Sequence, residues 1–190
     1  MGGCIVIAEK KQVKRTSSVE TIKTTLIALM NEKPKSQISV SQIAETAGLS
    51  RRTFYRYFLS VDEVLDAVAF QMRKEFTAYL EVQQPTTMRM LLYTCFTFWE
   101  PRKEILSGLA YNHLLYPLID EFMQIARRNR QITRGKQVSE EVLEWAVPMM
   151  CGTFFGVLMQ WIAEDFAHTP DEMTVLSMSV FSALLSGNVG

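Results

Sequence analysis

The chain has 190 residues and a mass of 21.8 kDa, with 48% hydrophobic and 21% charged residues, 9 Gly, 6 Pro and 3 Cys. That composition excludes intrinsic disorder, collagen-like repeats and a disulfide scaffold, and it leaves an ordinary globular protein. The net charge of zero hides an asymmetry, because residues 1–60 carry ten Lys or Arg against four Glu while the remaining 130 carry ten bases against sixteen acids. A basic head joined to an acidic body implies two different partners, and the head suits a polyanion.

In chain order, residues 1–16 read as a basic arm, with Lys10, Lys11, Lys14 and Arg15 ahead of the first predicted helix. The apolar run in MGGCIVIAEKK is too short for a signal peptide, and Val6 stands where a myristoylation pattern needs a hydroxyl. Helix starts are located by capping chemistry, in which a side-chain oxygen satisfies an orphan amide and a residue three later reaches back. Ser17 with Glu20, Ser39 with Gln42, Ser60 with Glu63 and Thr169 with Glu172 have this spacing, and Pro170 stands at the favoured first helical position. Helices are predicted over 18–32, 40–47, 51–58, 61–82, 87–99, 102–111, 113–129, 140–164 and 170–186. With no sustained period-two alternation, the fold class is all-α with about nine helices.

Residues 39–58, SVSQIAETAGLSRRTFYRYF, carry the specific signal. Two short helices flank Gly48-Leu49-Ser50, Ala44 permits a close helix crossing, and Gly48 can take the positive φ of the turn. Val40, Ile43, Ala44, Leu49, Phe54 and Phe58 form an inward face that Ile22, Leu26 and Leu29 can close into a three-helix core. Ser50 then caps a second helix whose outward face is Arg51, Arg52, Thr53, Tyr55, Arg56 and Tyr57, with Ser39 at the start of the first. Arginine forks match guanine edges in a major groove, while hydroxyls and a free helix N-terminus suit phosphates. A solvated charged face is the alternative, and two exposed tyrosines beside the arginines on a short helix after a glycine turn weigh against it.

Ile43-Ala44, Ala47-Gly48-Leu49-Ser50 and Thr53-Phe54-Tyr55-Arg56-Tyr57-Phe58 make residues 18–65 resemble the DNA-binding domain of TetR/AcrR-type bacterial regulators. The resemblance implies DNA contacts from Ser50, Arg51, Arg52, Thr53, Tyr55 and Tyr57, and an all-α body that forms a ligand-binding dimer. Members commonly carry Lys at the start of the fourth helix as a phosphate contact, whereas this chain has Val61. The basic arm is the candidate substitute, following the backbone or entering the minor groove.

In the body, helices 140–164 and 170–186 carry more apolar surface than one buried stripe needs. They predict a homodimer through a four-helix seam that includes Trp145, Gly152, Phe155, Gly156, Met159, Val180, Phe181 and Leu184. The apolar run from Trp145 to Met159 is interrupted by Pro148 and falls short of the ~20 residues of a bilayer span, so no membrane partner is expected. Aromatic density predicts an apolar pocket bordered by Phe96, Trp99, Tyr111, His113, Tyr116, Met149 and Phe154, although plain core packing produces the same pattern. Catalysis has little support, because His113 and His168 belong to no metal or triad pattern and no Gly-rich phosphate loop is present. No catalytic residue, metal or cofactor is expected. Cys4, Cys95 and Cys151, odd in number and widely spaced, indicate a reducing, cytoplasmic compartment.

The sequence therefore predicts a basic arm (1–16), a helix-turn-helix DNA-binding domain (17–64) and a ligand-binding and dimerisation domain (65–190). The expected function is transcription regulation: repression at a palindromic double-stranded DNA operator, released by a small apolar or amphipathic effector. The alternative is an interaction protein, coactivator or adaptor, whose larger domain binds a partner protein.

Overall fold

A computed structural model describes residues 2–115, 122–124, 126–127 and 139–185, with side chains described from Ser17 onward except at positions 140, 142, 143, 184 and 185. The described residues form eight α-helices and no strand. They are α1 (Gly2–Glu32), α2 (Val40–Thr46), α3 (Arg51–Tyr55), α4 (Val61–Gln83), α5 (Met88–Trp99), α6 (Lys103–Tyr111), α7 (Glu140–Ala163) and α8 (Pro170–Leu185). Single 3₁₀ turns lie at Lys35–Gln37 and Glu100–Arg102. Contacts divide the chain into two compact units, Met1–Met72 and Arg73–Gly190, with the division inside α4.

Most predicted starts are built as expected. Ser39 and Gln42 form a reciprocal capping box, Ser60 Oγ accepts the Glu63 amide at 3.1 Å, and Thr169 and Glu172 exchange bonds at the head of α8. The Thr169 amide and hydroxyl bonds hold the Glu172 carboxyl below the usual carboxylate range. Ser17 is different: the helix begins at Gly2 and passes through it, and the Ser17 carbonyl accepts the Thr21 hydroxyl at 2.8 Å inside the helix. No proline stands between residues 2 and 32 and the only glycines are Gly2 and Gly3, so nothing upstream of Ser17 stops propagation. The predicted start at residue 113 is also absent. His113 has φ 57°, a left-handed turn after α6, and most of the expected helix 113–129 lies outside the described residues.

In the first unit, Ile22, Leu26 and Met30 of α1, Ile43 and Ala44 of α2, Phe54 of α3 and Val64 of α4 are buried together as its core. The predicted inward face is borne out at Ile43, Ala44, Phe54 and Phe58, while Val40 and Leu49 are half-buried. Lys23 Nζ bonds Glu20 at 2.7 Å and Gln71 at 2.6 Å. Lys35 pairs with Asp62 at the start of α4.

In the second unit, α5 is buried on most of its circumference and packs chiefly against α8, while α7 packs against α6 and α8. Aromatic edges carry the contacts. Trp161 lies 5.4 Å from Phe96 and 4.9 Å from Phe166, and Phe122 stacks on Phe154 at 4.5 Å. Arg102 closes the α5–α6 corner, its guanidinium 4.0 Å from the Phe98 ring centroid and bonded to Glu75 at 3.0 Å. Asp165 and Phe166 take φ 51° and 57° in succession, and the Phe166 amide bonds the Trp161 carbonyl at 2.9 Å. The turn between α7 and α8 is therefore tight, with a buried ring inside it.

Helix α7 runs unbroken through Pro148, and its stretch Glu144–Ala163 has the length and apolarity of a bilayer span. The sequence expectation of a segment too short to span is corrected to that extent. One side of it, Val147, Cys151, Phe154, Leu158 and Trp161, is buried within the unit, as in a core helix of a globular protein.

Candidate DNA interface

The junction of α2 and α3 is set by backbone bonds. The Leu49 amide donates to the Ala44 carbonyl at 2.8 Å and the Gly48 amide to the Glu45 carbonyl at 3.0 Å, a Schellman closure around Gly48 at φ 64°. A Cβ on Gly48 meets nothing within 4 Å, so the backbone angle and not space requires glycine there. Ser50 then starts α3, its Oγ accepting the Thr53 amide at 3.1 Å and lying 2.9 Å from the Thr53 hydroxyl.

Phe54, fully buried, and Phe58 pin the inner side of α3 with ring centroids 6.1 Å apart. That leaves Arg51, Arg52, Tyr55 and Arg56 exposed, with Thr53 and Tyr57 half-buried beside them. Ser39 and Ser50 are exposed at the two helix starts, each hydroxyl already serving as a cap. All eight sequence-predicted residues therefore belong to one helix pair in one unit, while Lys23 and Lys35 of that unit are engaged with carboxylates. Arg51 and Arg52 thus stand exposed at the positive end of the α3 dipole.

The predicted pocket residues are not gathered around one space. Phe96 and Phe154 pack on each other at 5.5 Å in the core, Trp99 is buried against Phe98 and Phe76, and Tyr111, His113 and Met149 are exposed. Tyr116 lies outside the described residues. The reason is geometric: α5 is buried on most of its circumference, so its aromatics enter different clusters, while Tyr111 and His113 lie exposed at the C-terminal end of α6. The structure instead places a small cavity with wholly apolar walls where Leu91, Leu92, Met150, Cys151, Phe154 and Phe181 meet. Sequence reading missed all of these except Phe154. The one available signal was the near-continuous apolar run of α5. Burial pushes the Cys151 thiol up to about 11 and the Cys95 thiol higher still, so both free thiols stay protonated at neutral pH.

Of the predicted seam, Trp145, Gly152, Gly156, Met159 and Val180 are exposed. Phe155 and Phe181 turn inward and are buried in the unit's own core, and the Leu184 side chain is not described. Trp145, Met149, Gly152, Gly156 and Met159 alternate at four- and three-residue spacing, one stripe along α7. Among the described residues, no group of three His, Cys, Asp or Glu is arranged to hold a metal ion.

Residues 24–68 match the family described as bacterial regulatory proteins, tetR family. The chain is 26% identical to the nucleoid occlusion factor SlmA of Haemophilus ducreyi over 66% of this chain and 51% of that protein, so the match spans about half of that relative's length. It is 26% identical to the HTH-type transcriptional regulator YvdT of Bacillus subtilis over 64% of this chain and 74% of that protein. A solved structure from Syntrophomonas wolfei, described as a TetR-family transcriptional regulator, shares the fold with a TM-score of 0.67 at 18% identity, covering 92% of this chain and 97% of that one. The glycine turn and the capped short helix with its cationic outer side lie inside residues 24–68, the segment of the chain that matches the tetR family of bacterial regulatory proteins.

Proposed function

We propose that the protein is a cytoplasmic, homodimeric transcription regulator that occludes a palindromic operator and is released by a small apolar or amphipathic effector. The observation that carries DNA binding is the outer side of α3, where Arg51, Arg52 and Arg56 stand exposed behind a serine cap. The N-terminal residues of a recognition helix are those that reach base edges, which assigns base reading to Arg51 and Arg52. Arg51→Ala is expected to weaken operator binding by about 1–3 kcal/mol and to relax base preference at one position. Gel shifts on the upstream region of the gene, set against random duplex at moderate salt, test this; equal affinity for both rejects operator recognition.

The dimer reading is supported by the exposed α7 stripe and by Val175, Leu176 and Val180 on α8. A Cβ on Gly152 or Gly156 meets nothing within 4 Å in the single chain, so a second helix has room for close approach. Because Phe155 and Phe181 serve the unit's own core, the exposed stripe is the place to test the seam. Met159→Asp is expected to leave the fold intact and to cost several kcal/mol of association through a buried unpaired charge. Light scattering at micromolar concentration should then read dimer for the wild type and monomer for the variant.

The effector reading is supported by the cavity of α5, α7 and α8 with its two adaptable Met88 and Met150 walls. The partner-protein reading is favoured by one observation, the tight aromatic packing at Phe96, Phe154 and Trp161. A thermal-shift screen of apolar compounds separates the two: a hit that also weakens operator binding supports an effector, and uniform silence favours a partner protein. Release requires the effector to prefer the DNA-incompetent arrangement, because equal affinity for both shifts nothing.

A further inference from the structure

Arg56 and Tyr57 close α3 at the end opposite Arg51 and Arg52. Their backbone is held between two anchors, the fully buried Phe54 and the buried Phe58. The Phe54 carbonyl accepts the amides of Tyr57 at 2.9 Å and Phe58 at 3.0 Å, so the two outer residues have little freedom to move apart. Their side chains are joined as well. Arg56 Nη2 donates to the Tyr57 hydroxyl oxygen at 3.0 Å, and the guanidinium carbon stands 4.8 Å from the Tyr57 ring centroid.

This pairing fixes what each group has left to offer. A phenol oxygen that accepts from arginine keeps its own hydrogen, and among the described residues Tyr57 Oη donates to no other group. The cation beside it polarises that O–H, which favours an anionic acceptor over water. Part of the guanidinium fork and one of its faces are meanwhile committed to the ring. We infer that Arg56 is a positioning residue, holding the Tyr57 phenol so that its hydroxyl donates to a phosphodiester oxygen of double-stranded DNA. This rests on the DNA-binding reading above and assigns Arg56 a role other than gripping DNA itself.

The test uses the full chain, with dissociation constants measured by fluorescence anisotropy on an operator duplex and a random duplex across a salt series. Tyr57→Phe is expected to weaken both complexes alike by about tenfold, the scale of one hydrogen bond to a charged group, without changing the salt slope. Arg56→Ala should lose the same factor, and the double variant no more than either single one. Arg56→Lys keeps the charge but lacks the planar fork, so it should behave as Arg56→Ala does. If Arg56 instead neutralises a phosphate directly, Arg56→Lys retains wild-type binding, and the alanine change lowers the slope by about 0.9. That result, additive losses in the double variant, or a Tyr57→Phe affinity within twofold of wild type overturns the inference while leaving DNA binding in place. Failure of the wild type to bind any duplex is read separately and removes the DNA reading together with this one. Arg56 is exposed, and Tyr57→Phe keeps the half-buried ring, so circular dichroism should remain that of the wild type for every variant.

Discussion

Phe54→Ala is expected to abolish operator binding by unfolding the first unit. The ring is fully buried and touches Tyr55 and Phe58, and removing a buried phenylalanine costs about 3–5 kcal/mol. A unit of this size buries a limited core, so a loss of that magnitude consumes most of its stability. The effect is conformational, and it is distinguishable from loss of a contact because Phe54 has no exposed surface to offer DNA. All three tryptophans, Trp99, Trp145 and Trp161, lie beyond residue 72. Tryptophan fluorescence therefore reports the second unit alone, while circular dichroism should show the loss of the first unit's helical signal. A variant that still binds operator with wild-type affinity contradicts the central role given to this ring.

Trp161→Ala is expected to be the most destabilising single change in the second unit. Its indole is fully buried, meets Phe96 and Phe166 edge to face, and donates to the His168 carbonyl at 2.9 Å. The truncation costs about 3–5 kcal/mol for the cavity alone, and the His168 carbonyl loses its donor in a half-buried place. Buried Trp99 remains as a reporter, so a urea titration followed by fluorescence should show the midpoint falling sharply. A midpoint close to that of the wild type contradicts the packing described around α7.

The helix-turn-helix was legible because its determinants are local. Ser39 and Gln42, Gly48, Ser50 and the Phe54/Phe58 pair each act within four residues, where capping and period translate directly into geometry. The same grammar misread Ser17. A serine followed three residues later by glutamate permits a helix start but does not impose one, and only a proline or glycine upstream supplies the stop. The body was legible as helices and not as a site. On α7, apolar residues stand on most of the circumference, so periodicity does not separate Phe155, which enters the core, from Trp145 and Met159, which face outward. The position of the cavity depends on which helices meet, a tertiary fact that no window of α5 or α7 contains.

The turn at Asp165 and Phe166 fixes the rotational phase of α8 relative to α7. Each residue of helix advances the side-chain direction by about 100°, so one residue gained or lost in this turn would rotate Met173, Ser177 and Phe181, all buried, away from α5. An ordinary loop absorbs such a change because nothing inside it is anchored. Here the ring of Phe166 is itself seated on Trp161, beneath the Lys103 ammonium 5.3 Å from its centroid, and the connection behaves as a keyed joint. Changes of length between these two helices are thereby closed to drift, and variation in how α8 presents its outer side has to come from substitutions along the helix.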